Sequence, residues 1–109
     1  MAGTYTVTVT PAARDDFQEL LEYAQEYRSL RGVDQLQGAI LAAIARLEEM
    51  PAAHPPVLET YSVVGTKFRR IVVDNYKVIY EIDEQSSDIY VIRILHVKRG
   101  TDFVQEALL

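Results

Sequence analysis

Hydrophobic positions along the chain repeat with two different periods. Thr4 to Thr10 alternates threonine with Tyr5, Val7 and Val9, a period of two that gives a strand one apolar face. Thr10-Pro11 then offers an N-cap hydroxyl followed by proline at the first helical position, with Asp15 and Asp16 in the early turns where they complement the helix dipole. Phe17, Leu20, Leu21, Ala24, Tyr27 and Leu30 recur at three- and four-residue spacing, so the pattern predicts a first helix with one apolar stripe that runs to Gly32. Asp34 is placed to cap a second helix, whose stripe is Leu36, Ile40, Leu41, Ile44 and Leu47 and which Met50-Pro51 ends. Two such helices joined by a few residues form an antiparallel hairpin.

The next segment, PAAHPPVLET, has three prolines within six residues, which forbids a helix or a central strand and marks a surface connector. From Tyr61 onward the period returns to two. Lys67 to Val73, Tyr76 to Ile82 and Ile89 to Lys98 are rich in Val, Ile and Tyr and are separated by the tight Asp74-Asn75 and the polar DEQSSD turn, which predicts a three-stranded antiparallel meander. Thr101 or Asp102 can cap a last helical segment whose apolar side is Phe103, Val104, Ala107 and Leu108. The order β-α-α-β-β-β predicts an α+β fold, one domain over residues 1–109, with the hairpin over one face of the sheet and the other face partly free. Register decides which strand residues face the helices. The set Tyr76, Val78 and Tyr80 is the better core candidate than Lys77, Ile79 and Glu81.

Composition narrows the function classes. A chain of 109 residues with 49% hydrophobic and 25% charged content is an ordinary globular domain. It has no cysteine, so disulfides, thiolate metal sites and a cysteine nucleophile are excluded, which fits a reducing cytosol. His54 and His96 are the only imidazoles, and their separation makes a poor metal site. No signal-like N-terminus and no apolar run of membrane-spanning length is present, so a cytoplasmic, membrane-free location is expected. The net charge of −5 is unevenly spread: residues 1–66 carry four basic and nine acidic side chains, whereas Lys67 to Gly100 holds seven of the eleven Lys and Arg residues. That segregation points to an anion-binding or partner-binding sheet attached to an acidic helical half.

The strand, the Thr-Pro-Ala-x-x-Asp start of the first helix, the two helices, and then FRRIVVDNYKVIYEID and YVIRILHVKR resemble the RelE/ParE toxin superfamily. The resemblance covers almost the whole chain, and its strongest pieces are Phe68-Arg69-Arg70, Asp74 through Tyr80, and Arg93-Ile94-Leu95-His96 followed by Lys98-Arg99. It implies a toxin of a type II toxin-antitoxin, or plasmid stabilisation, system, neutralised by a cognate antitoxin and assembling as a homodimer or as a heterotetramer with it. An apolar strip beside the meander or under Phe103 to Leu109 is then the expected seat of the antitoxin's tail. No metal or organic cofactor is implied.

The superfamily contains two activities on one fold. RelE-like members cleave mRNA on the ribosome. ParE-like members bind DNA gyrase and act without catalytic chemistry of their own. In the first case Arg70, Lys77, His96 and Arg99 are the candidate catalytic residues; in the second Arg70, Lys77, His96, Lys98 and Arg99 form the target-binding surface. Phe103 stands about where ribosome-active members place a Tyr hydroxyl, and phenylalanine neither transfers a proton nor donates a hydrogen bond. Lys77 stands where arginine is usual and offers a point charge rather than a bidentate fork. The Arg93 to His96 phrasing is closer to ParE-type proteins. The resemblance therefore implies a ParE-like gyrase inhibitor first, a ribosome-dependent endoribonuclease second, and an inactive antitoxin-binding module third. The bland readings stand beside these: His54 as a solvated loop residue, His96 as a filler of a half-buried slot, one of Arg69 and Arg70 and one of Lys98 and Arg99 paired with helix acids, and the tyrosines as core or interface aromatics.

Overall fold

Threonine 10 converts the first strand into the first helix. Its backbone is extended while its hydroxyl accepts the Ala13 N–H, and Pro11 occupies the first helical turn, so the helix starts with one of its orphan donors satisfied. In the computed structural model, which describes residues 4–49 and 68–98, the elements are β1 (Thr6–Val9), α1 (Pro11–Ala24), α2 (Leu30–Arg46), β2 (Phe68–Val73), β3 (Tyr76–Asp83) and β4 (Asp88–His96). The α+β order read from the sequence is the order found. His54, the proline-rich connector, Lys67, Arg99 and the segment Phe103 to Leu109 lie outside the described residues.

Two expectations about the helices are corrected. The first helix stops at Ala24, and Gly32 does not end it; Ser29, not Asp34, caps the second, with its hydroxyl accepting the Gly32 N–H at 3.1 Å. The apolar period hid this break. Arg28 still donates its N–H to the Ala24 carbonyl, so the chain keeps helix-like spacing through the junction. Leu30 and Leu41 are therefore exposed, as is Tyr27, while Val33 and Ala43 join Leu36, Ile40, Ala24 and Leu20 in the core.

The strand order is β1-β4-β3-β2. β2, β3 and β4 form the expected antiparallel meander, and β1 pairs parallel with β4, Val9 opposite Val91. Tyr76, Val78 and Tyr80 face the helices with Ile71, Ile89, Val91 and Ile94, as the alternation favoured. The reverse face is less free than expected: Phe68, Ile79 and Leu95 are buried there as a second small cluster. β4 carries a bulge, because Ile79 pairs with Arg93 but Tyr80 pairs with Val91, leaving Ile92 as the extra residue. The two-residue turn into β3 holds Asp74 at a φ of 56°, which costs an aspartate little because its short side chain tolerates the left-handed region. Arg28 anchors that turn to the α1–α2 junction, its guanidinium 2.8 Å from the Asp74 carboxylate.

Asp16 does not serve the helix dipole; it lies beyond the first turn of α1. One carboxylate oxygen accepts the Arg93 Nε–H at 2.6 Å and the Ile94 N–H at 3.0 Å, and the other accepts from the second Arg93 nitrogen at 2.9 Å. Both side chains are nearly buried, 13% and 11% exposed. Removing one partner of such a pair leaves the other charge uncompensated, which typically costs about 3 to 5 kcal/mol. Asp16→Ala is thus expected to lower the urea unfolding free energy by roughly 3 kcal/mol with the slope unchanged. A loss below about 1 kcal/mol would show that solvent screens the pair as it screens surface pairs.

Candidate functional site

Cross-strand pairing assigns each basic residue to a face. Arg70 lies opposite Ile79, and Lys77 lies between Val72 and Leu95, so both project from the face that looks away from the helices. They are diagonal neighbours on adjacent strands, set among Phe68, Ile79 and Leu95. Lys77 is only 5% exposed, and its ammonium makes no ion pair or hydrogen bond among the described residues. The Arg70 Nε is buried without an acceptor. Glu81 shares the face, opposite Phe68, and neither cation pairs with it. Two cations beside an apolar cluster, one with an unsatisfied buried donor, form a surface poised for an anion. A phosphate or carboxylate would meet a guanidinium fork and an ammonium point charge in a low-dielectric setting.

His96 lies elsewhere. It pairs with Tyr76 across β3 and β4, on the helix face, and their rings meet edge to face with centroids 5.6 Å apart. The bulge is the cause. Strict alternation from Ile89 and Val91 would have aimed Arg93 and Leu95 at the helices and His96 at the reverse face; the extra residue at Ile92 inverts the phase. The Lys98 N–H donates to His96 Nδ1 at 3.1 Å. Lys98 itself is exposed just past β4. The five candidates are therefore divided: Arg70 and Lys77 on one face, His96 on the other, Lys98 at the strand end, and Arg99 outside the described residues. Arg69, opposite Tyr80, faces the helices.

The sequence singled out neither the Asp16 latch nor the tyrosine cluster around His96. Tyr76 donates to or accepts from Tyr27 through their hydroxyls at 3.3 Å. Burial, with the Tyr27 hydrogen bond second, pushes the Tyr76 phenol up to about 12, and burial pushes Tyr80 up to about 12 against the opposing charge of Arg69. Neither phenol ionises near neutral pH. Among the described residues no group of His, Asp and Glu could hold a metal ion, and no helix is long and apolar enough to cross a membrane.

The family model described as "ParE toxin of type II toxin-antitoxin system, parDE" matches residues 7–100. The chain belongs to the ParE toxin family. No curated protein matches. Solved structures share the fold of this ParE-family chain. The toxin-antitoxin complex RelBE2 from Mycobacterium tuberculosis is 21% identical, covers 85% of this chain and 98% of its own, and has a TM-score of 0.54. The chromosomal ParDE system from P. aeruginosa is 12% identical, with 85% and 96% covered and a TM-score of 0.68. A mutant E. coli toxin RelE in the free state is 11% identical, with 96% and 95% covered and a TM-score of 0.64.

Two measurements test the electrostatics of this ParE-family chain. An unsatisfied buried polar group costs about 1 to 3 kcal/mol, so Lys77→Met and Arg70→Met are expected to leave the urea midpoint unchanged or raise it. A marked fall with either would mean that the cation is held by a structural partner. For the phenols, the folded pKa lies above the unfolded value, so their contribution to stability is whole below pH 10 and is lost as pH rises toward about 12. The melting temperature should fall across that window, and Tyr80→Phe should flatten the fall; an unaltered profile would put the alkaline loss in other groups.

Proposed function

We propose that this toxin acts as ParE-like proteins do, by binding DNA gyrase, and that a cognate antitoxin neutralises it. The observation that carries the target is the division of the candidate groups by the sheet: Arg70 and Lys77 can hold an anion, while His96, the imidazole of the described residues, stands on the opposite face against Tyr76. Cations without a nearby imidazole suit docking better than proton transfer to a leaving 5′-oxygen. The family match to ParE and the phenylalanine at position 103 favour the same side. A net charge of −5 also weakens approach to rRNA more than approach to a protein.

The antitoxin partner is supported by the family and by the toxin-antitoxin complexes among the similar folds. A disordered tail that folds onto the toxin binds only its native state, so it raises the melting point while it suppresses activity. On this reading the toxin assembles as a homodimer or as a heterotetramer with its antitoxin, and it serves plasmid stabilisation in the cytoplasm.

Purified toxin is expected to inhibit gyrase supercoiling or stabilise gyrase-cut DNA, and to leave ribosome-bound mRNA intact. Arg70→Ala and Lys77→Ala should each weaken that inhibition by roughly tenfold, which corresponds to about 1.4 kcal/mol of lost contact. Codon-dependent mRNA cleavage with gyrase untouched would overturn the choice in favour of the endoribonuclease. Binding of an antitoxin with no effect on either target would leave the inactive antitoxin-binding module.

A further inference from the structure

Two tyrosines near the end of α1 differ in what they hold. The Arg28 guanidinium carbon lies 5.7 Å from the Tyr27 ring centre, and the same guanidinium pairs with Asp74 at 2.8 Å. A cation thus sits between an aromatic ring and a carboxylate. Tyr23, one turn earlier, packs edge-on against Tyr27 with centroids 5.1 Å apart, and it borders a cavity of about 280 Å³ between α1 and the end of β4. Asp16, Glu19, Tyr76 and His96 line the same cavity. Asp16 already uses both oxygens on Arg93 and Ile94. Glu19 pairs with no cation of the described residues.

We infer that this cavity receives the guanidinium of an arginine side chain presented by a protein partner, between the Tyr23 ring and the Glu19 carboxylate. The Arg28 site shows the required chemistry one helical turn away. A guanidinium fits better than an ammonium because it is flat, stacks on an aromatic face and keeps its edge donors for a carboxylate. The donor is a protein segment because the cavity opens beside Tyr23, which packs on Tyr27, the two exposed by 60% and 54%, an apolar rim that a peptide backbone can cover. Exposed Glu22 on α1 and Glu26 just beyond its end add negative charge beside Tyr23 along the chain, which attracts a basic segment and repels an acidic one. The site lies on the helix side of the sheet, away from Arg70 and Lys77, and does not depend on gyrase being the target.

Isotope-labelled protein titrated with acetyl-Gly-Arg-Gly-amide tests this by NMR. The arginine peptide is expected to shift the signals of Glu19, Tyr23, Tyr76 and His96, and the uncharged citrulline counterpart to shift none of them. Glu19→Gln and Tyr23→Ala should each weaken binding by roughly threefold to tenfold with the melting temperature unchanged, because both side chains are exposed. Asp34→Asn, exposed on α2 and outside the cavity, should leave binding intact. Equal response to the citrulline or lysine peptide, or binding indifferent to Glu19→Gln, would overturn the assignment.

Discussion

The carboxylate of Asp16 accepts three hydrogen bonds from β4, two from Arg93 and one from the Ile94 N–H, and the relation between helices and sheet rests on it. β1 covers the edge of β4 only as far as Val91. Beyond that point the strand would present open donors and acceptors. Thr10 closes the first of them, giving its N–H and its hydroxyl to the Val91 carbonyl, and Asp16 closes the next. The chain turns from strand to helix at the place where its side chains can replace the missing backbone pairing. α1 is thereby fixed along β4, and the tyrosines at its far end are brought beside Tyr76 and His96.

That fixed contact also separates two kinds of surface. On the helix side, acidic side chains of α1 and exposed aromatics surround a cavity that favours cations. On the reverse side, Arg70 and Lys77 stand among apolar residues and favour anions. A four-stranded sheet keeps the two apart, so each holds its local potential despite an overall charge of −5. Arg70, Lys77, Glu19 and Tyr23 project from paired strands or a packed helix rather than from loops, which holds them within narrow limits. Lys77, 5% exposed and without an ion pair among the described residues, contributes nothing to folding that a methionine would not.

Much of the fold was legible in the sequence because its signals are local. The period of two in Thr4 to Thr10 and from Lys67 onward, the Thr10-Pro11 start and the Asp74-Asn75 turn each act through neighbours along the chain. So did the choice of Tyr76, Val78 and Tyr80 as core, and the clustering of basic residues in the sheet. The break between the helices was not legible, since the apolar spacing runs through residues 25–28 while a serine hydroxyl alone restarts the helix. What only the tertiary structure decided is which basic residues share a face. One extra residue at Ile92 shifts β4 by half a period and sends His96 to the helices, while Arg93, beside the bulge, pairs with Asp16 of α1. A bulge is chosen by pairing with β3 and by the partner that awaits the displaced side chain, and neither is written within β4 itself.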